Sequence, residues 1–106
     1  MNPRPGEVWL ADLGLAAKTR PVVIVSRYDT DPPRALVIYV PPTTQSRNSK
    51  YEVELPKQPF LRLEGVANVQ GIASLPLKRL ERKLGDLPRD VLDKIKRTVA
   101  FALDIG

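Results

Sequence analysis

The sequence predicts a mainly β fold, a small β-barrel plus α, in which strongly bent antiparallel strands are closed by a C-terminal helix. Residues 22–25 form a continuous run of β-branched residues (VVIV), which is typical of a strand buried on both faces. Eleven prolines and six glycines among 106 residues favour many short strands joined by tight turns. Only the last segment has the periodicity of a long amphipathic helix. The length predicts a single domain over residues 1–106.

Six strands are predicted from alternating or continuous apolar residues. Pro21 suits the start of the second strand, because it has no amide hydrogen and biases Arg20 toward an extended backbone. Gly71 is expected to form a bulge within one long bent strand. We expect the second and third strands to be antiparallel neighbours. The predicted strands cover residues 7–13, 20–26, 35–40, 51–55, 66–75 and 80–84, with irregular connections at 1–5, 14–18, 27–34 and 57–65.

The final segment predicts the single long helix. Asp86 is the expected N-cap, with Pro88 in the first turn and Asp90 near the positive end of the helix dipole. The apolar residues that share one face of this helix are Leu92, Ile95, Val99, Ala102 and Leu103.

The residue types that are missing narrow the possible chemistry. The chain has no cysteine, which excludes disulfides and thiolate metal sites, and no histidine, the commonest general base and metal ligand. We therefore expect no metal and no other cofactor. A run of about 18 apolar residues and a basic, apolar leader are both absent, so we expect neither a membrane span nor a signal peptide. Seventeen basic residues against twelve acidic ones give a charge of +5, which suits a polyanionic partner and also serves solubility.

Arg20 and Thr43 are the candidate functional residues. If the second and third strands are antiparallel neighbours, these two residues share one edge of the sheet. A guanidinium beside a hydroxyl can bind a phosphate and stabilise charge that develops on it, and RNA supplies its own nucleophile, the 2′-OH. Two simpler interpretations remain: Arg20 pairs with a carboxylate or points into water, and residues 43–46 form a hydrogen-bonded turn. Similarly, Trp9 and Tyr39 fit the core as well as RNA stacking.

Three blocks of the sequence resemble the MazF/PemK toxin family, in order and over nearly the whole chain. Only residues 14–19 separate the first two strands, and ANVQ stands at residues 67–70, so the chain is similar to a short-loop subgroup. The blocks are GEVW at 6–9, KTRPVVIVS at 18–26, and VPPTTQS at 40–46 followed by EV at 52–53.

The resemblance implies an SH3-like barrel that forms a homodimer in the cytoplasm. It implies the toxin of a type II toxin-antitoxin system, an endoribonuclease that cleaves single-stranded RNA at short motifs without a metal. The expected products are a 2′,3′-cyclic phosphate and a 5′-hydroxyl. The implied partners are mRNA and a cognate antitoxin whose C-terminal segment lies across the RNA groove. The implied catalytic residues are Arg20 and Thr43, and the expected RNA-binding residues are Lys18, Thr44, Gln45, Ser46, Arg47 and Gln70.

A second hypothesis is a non-cleaving barrel of the same kind. Many family members carry an arginine and acidic residues after the fifth strand, whereas this chain has QGIASLP at residues 70–76, with Ala73 and Pro76 in place of charged residues. Such a relative would bind RNA without cutting it, or would poison a protein target such as DNA gyrase, as the structurally similar CcdB toxins do.

Overall fold

The computed structural model describes residues 2–14, 18–61 and 65–106. Residues 15–17 and 62–64 lie outside this part, as does Met1, so the connections predicted at 14–18 and 57–65 are described only in part. The elements of the described residues are β1 (Glu7–Asp12), β2 (Thr19–Ile24), β3 (Leu36–Val40), β4 (Pro42–Thr43), β5 (Glu52–Leu55), β6 (Gly65–Asn68), β7 (Ala73–Pro76), β8 (Leu80–Asp86) and α1 (Arg89–Ala102), with 3₁₀ turns at Val69–Gly71 and Leu77–Arg79.

The strands form two antiparallel sheets, which confirms the predicted mainly β fold. The larger sheet has the order β7-β3-β2-β1-β8 and the smaller one the order β4-β6-β5. Strands β2 and β3 are antiparallel neighbours, as predicted, with Val23 opposite Val40. The β1–β8 register shifts between Val8 and Trp9 and again further along, irregularities of the kind that bend a sheet.

The prediction of a single bent strand over residues 66–75 is wrong, because two strands in different sheets occupy this segment. The chain leaves β6 of the smaller sheet, makes a 3₁₀ turn, and enters β7 at the edge of the larger sheet. The amide of Ile72 donates to the Val69 carbonyl at 3.0 Å, which closes the turn. A Cβ atom at Gly71 would lie 2.7 Å from the Pro41 side chain, so glycine is needed for close packing and not for a bulge.

The helix begins later than predicted. Pro88 is its N-cap, and no side chain caps it. Asp86, the expected N-cap, is the last residue of β8, where its carboxylate pairs with Lys83 at 3.1 Å. The amphipathic prediction is confirmed, since Leu92 and Ile95 are buried, but Leu103 lies beyond the helix and is 53% exposed.

The core has two clusters on opposite faces of the larger sheet. Val23 belongs to the first cluster, with side chains from both sheets and from α1, while Val22 belongs to the second. Both side chains are fully buried, as the β-branched run predicts. Trp9 packs against the second cluster, and its indole N–H donates to Glu7 Oε1 at 3.0 Å. Its place at the edge of the core agrees with the structural interpretation of Trp9.

Candidate functional site

A cleft of about 480 Å³ lies where β2 begins and β3 ends, and we refer to it as the Arg20 cleft. Among the described residues that line it, four are polar and four are apolar, so the Arg20 guanidinium lies in a cleft with a partly apolar wall. The polar residues are Arg20, Thr43, Thr44 and Gln45, and the apolar ones are Leu13, Pro21, Pro41 and Pro42.

Strand register brings Arg20 and Thr43 together. Because Val23 lies opposite Val40 in an antiparallel pair, the residues that follow β3 lie beside the residues that begin β2. Pro41 and Pro42 then lead the chain out of the larger sheet, and the two-residue strand β4 joins the smaller sheet, with Thr43 opposite Val66. Thr43 is therefore held at the junction of the two sheets.

Tight packing of β6 fixes the backbone at this junction. A Cβ atom at Gly65 would lie 3.0 Å from the carbonyl carbon of Thr43, 3.2 Å from the Cα of Thr44, and nearer still to the Thr43 carbonyl oxygen. These are backbone atoms that cannot rotate away. At the other end of β6, the amide of Asn68 donates to the Pro41 carbonyl at 2.9 Å. Only glycine at position 65 allows this approach.

The Arg20 side chain is exposed and has no carboxylate partner among the described residues. Within that part of the chain Arg20 is therefore not ion-paired, and its exposure agrees with the simpler interpretation in which it points into water. Thr43 is half-buried, and its Oγ1 accepts a hydrogen bond from the Gln45 amide at 3.1 Å. The hydroxyl-rich stretch does form the predicted turn. No described residue accepts a hydrogen bond from the Thr43 hydroxyl, whose proton can therefore donate to a ligand.

A second, more polar cleft of about 330 Å³ adjoins the first, and we refer to it as the amide cleft. Thr43 and Gln45 line both clefts and form the wall between them. The remaining residues come from the loop after β4, from β5, from the end of β6 and from the 3₁₀ turn that follows it. They are Arg47, Ser49, Glu52, Asn68 and Gln70.

Glu52 holds the loop that forms one wall of the amide cleft. Its carboxylate accepts the amide of Ser49 at 2.8 Å and the amide of Arg47 at 3.0 and 3.1 Å to its two oxygens. These hydrogen bonds, that from Ser49 first, hold the pKa of Glu52 below its ordinary value. Between them, Asn48 adopts a positive φ of 51°, a conformation that asparagine tolerates well.

The structure gathers some of the predicted RNA-binding residues and separates others. Thr44, Gln45, Arg47 and Gln70 each line one of the two clefts or both. Ser46 and Lys18 line neither. The Ser46 hydroxyl bonds Asn48 and lines a different cavity, and the carbonyl of Lys18 accepts the Leu13 amide at 2.9 Å.

Asn68 and Glu52 are cleft residues that the sequence analysis did not assign to the site. They lie directly opposite each other in the β5–β6 pair. That register depends on how the smaller sheet assembles, so no local pattern in the sequence indicates it. The described ranges hold no group of three His, Cys, Asp or Glu residues placed to bind a metal. They also hold no helix with the length and apolar content needed to cross a bilayer.

Residues 4–103 match a protein family described as PemK-like, MazF-like toxin of type II toxin-antitoxin system. An endoribonuclease from a mycobacterial species, solved with its cognate antitoxin, is 29% identical, with a TM-score of 0.83 over 98% of this chain and 97% of that one.

Two further structures are similar in fold. The Mycobacterium tuberculosis toxin MazF-mt6 is 25% identical, with a TM-score of 0.81 over 94% of this chain and 98% of that one. A MazE-MazF structure from Deinococcus radiodurans is 23% identical, with a TM-score of 0.82 over 100% and 99%. No curated protein matches the chain significantly. The family match over most of the chain confirms the resemblance, and the chain belongs to the PemK-like, MazF-like toxins of type II toxin-antitoxin systems.

Proposed function

We propose that this chain is a metal-independent endoribonuclease that cleaves single-stranded RNA at short sequence motifs. One observation carries the proposal: Arg20, without a carboxylate partner in the described part of the chain, lines one cleft with Thr43. A cation that no described carboxylate neutralises, in the same cleft as a hydroxyl donor, suits a phosphodiester. The mycobacterial endoribonuclease that is 29% identical supports the same activity.

The chemistry assigned to the Arg20 cleft is transfer within the RNA strand. The 2′-hydroxyl releases its proton to water as its oxygen attacks the adjacent phosphorus, the bond from phosphorus to the 5′-oxygen breaks, and that oxygen takes up a proton from water, so no net proton is gained or lost. The products are a 2′,3′-cyclic phosphate and a 5′-hydroxyl. Arg20 donates to the non-bridging oxygens, where negative charge grows in the transition state, and the Thr43 hydroxyl orients the same phosphate.

A comparison of two arginine variants tests the role of Arg20. Arg20→Ala should lower the cleavage rate roughly 10²–10³-fold, as removal of one preorganised donor to developing charge does in other enzymes. Arg34→Ala is the matched control, because Arg34 is an exposed arginine that lines neither cleft and the charge change is the same. A folded Arg20→Ala protein that cleaves as fast as the control would contradict the assignment.

The proposed partners follow from the family and from the solved complexes of similar proteins. We expect a cognate antitoxin to bind this chain, as one does in the mycobacterial complex. We also propose a homodimer that acts in the cytoplasm. Light scattering at micromolar concentration tests the homodimer, and a monomer as the single species would contradict it.

A second candidate function is RNA binding without cleavage. It is favoured by the acid–base groups of the clefts. The chain has no histidine, and Glu52, the one carboxylate among the described residues that line the two clefts, has a lowered pKa and accepts hydrogen bonds from two backbone amides. A carboxylate in that state is a weak general base near neutral pH. Under this candidate, a long RNA shifts in a gel and keeps its length in EDTA.

A further inference from the structure

The position of the amide cleft suggests what it holds. In the proposed reaction the scissile phosphate lies against Arg20 and Thr43, and Thr43 also forms the wall of the amide cleft. Because the two clefts share this wall, the amide cleft lies where the base of a nucleotide next to that phosphate would be placed. We propose that the amide cleft is a subsite for one nucleobase beside the scissile phosphate, an inference that rests on the proposed function.

The charge of the amide cleft suits a base better than a second phosphate. Its lining includes one cation, Arg47, and one anion, Glu52, which oppose each other in sign. The other described residues of the lining are uncharged and polar. A phosphate would meet the Glu52 carboxylate with no excess of positive charge, whereas a neutral, polar base meets no such penalty. The volume of about 330 Å³ lies at the lower end of the range of about 300–1,000 Å³ for small-molecule sites.

Three carboxamide side chains provide the recognition chemistry. Gln45, Asn68 and Gln70 line the cleft, and none of their amide groups makes a hydrogen bond to another described residue. Each carboxamide offers two donors and one acceptor, which is the pattern that pairs with a donor and an acceptor on the edge of a base. None of the described residues that line the cleft is aromatic, so the base is selected along its edge and not by stacking.

The walls of the subsite are held in place before RNA binds. Glu52 fixes the loop on one side through the amides of Arg47 and Ser49. The same residue lies opposite Asn68 in the β5–β6 pair, so the two walls are joined by strand pairing. A subsite whose polar groups are already positioned loses less entropy on binding and discriminates better between bases.

Mapping of cleavage sites in the variants Gln70→Ala and Asn68→Ala tests the inference. A long RNA is cut in EDTA, and the bases around each new end are compared with those for the wild type. We expect each variant to relax the base preference at one position of the motif, next to the cut, by roughly 5- to 150-fold, the discrimination that a good base contact supplies. The other positions should stay unchanged. Gln58→Ala is the control, because Gln58 lines neither cleft.

Gln70 is exposed, so its variant keeps the test decisive even if Asn68→Ala fails to fold. Cleavage by Gln70→Ala with the wild-type preference at every position would overturn the subsite and leave the nuclease intact. If the wild type does not cut RNA, the same variants are compared by selection of bound sequences from a pool of random short RNAs. A base enriched at one position by the wild type and lost in Gln70→Ala would then support the subsite although the nuclease proposal fails. A pool without enrichment would overturn it.

Discussion

A methyl group added at Gly65 should disturb the Arg20 cleft more than it disturbs the fold. In Gly65→Ala the new Cβ would fall well inside the contact distance of the Thr43 carbonyl oxygen and 3.0 Å from its carbonyl carbon. Neither atom can rotate away, since both belong to the backbone of β4. Strands β4 and β6 must therefore part, by on the order of 1 Å if ordinary contact distances are restored.

The size of both effects follows from this displacement. Overpacking of this kind costs about 1–3 kcal/mol, and each 1 kcal/mol lowers the melting temperature of a domain of this size by roughly 4–8 °C. The catalytic effect is separate, because Thr43 moves relative to Arg20, which is carried by the other sheet. A misplacement of about 1 Å at a reacting group costs about 10²-fold in rate.

The assay combines thermal unfolding with the rate of RNA cleavage at a temperature where the variant is fully folded. Gly85→Ala is the control, because its Cβ would collide with the ring of Phe60, which lines neither cleft. Both variants should melt lower than the wild type, and only Gly65→Ala should lose about 10²-fold in rate. Equal rates for the two folded variants would refute the claim that this contact positions Thr43.

Two further predictions concern stability. Ile95→Ala removes a fully buried side chain of α1 and should lower the free energy of unfolding by about 2–5 kcal/mol, as urea titration measures; a loss below about 1 kcal/mol would show that the helix does not close the core. The pKa of Glu52 in the folded protein is lower than its ordinary value of 4.5, so the Glu52 carboxylate stabilises the fold at pH values above 4.5. This contribution is lost as the pH falls toward the lower pKa of the folded state. Glu52→Gln should therefore melt below the wild type at pH 7, and this difference should narrow below pH 4.5. Glu54→Gln, on the same face of β5, is the control and should melt like the wild type at pH 7. A difference for Glu52→Gln that is constant with pH would contradict the role of the Glu52 carboxylate in holding the loop.

The second and third strands could be predicted from the sequence, because the evidence for each strand lies within its own few residues. The β-branched run beside Pro21 requires burial on both faces, and Val22 and Val23 are fully buried on opposite sides of the sheet. The same reasoning fails at Gly71. A glycine in an apolar run is compatible with a bulge, with a turn or with the close approach of another segment. Only the packing of Gly71 against Pro41 in the folded protein shows that the turn and the close approach apply here.

In the candidate site, too, some residues could be placed from the sequence and others depend on tertiary packing. Arg20 and Thr43 could be placed together because one antiparallel strand pair joins them, with few residues between. Asn68 could not, because its position in the amide cleft depends on a second sheet and on the register of β5 with β6. Ser46 is expected to bind RNA from its place in a polar motif, and this stays a prediction. Its hydroxyl donates to the side-chain oxygen of Asn48, two residues further along the chain, a contact that no sequence pattern indicates.

The most direct test of the account is incubation of the purified protein with a long single-stranded RNA in EDTA, followed by mapping of the new ends. We predict discrete cuts at a shared short motif, with 5′-hydroxyl ends that accept a phosphate from a kinase without prior dephosphorylation, and cyclic phosphates on the other side. RNA that stays intact in the presence of the folded protein would contradict the account, as would cuts whose ends carry a 5′-phosphate.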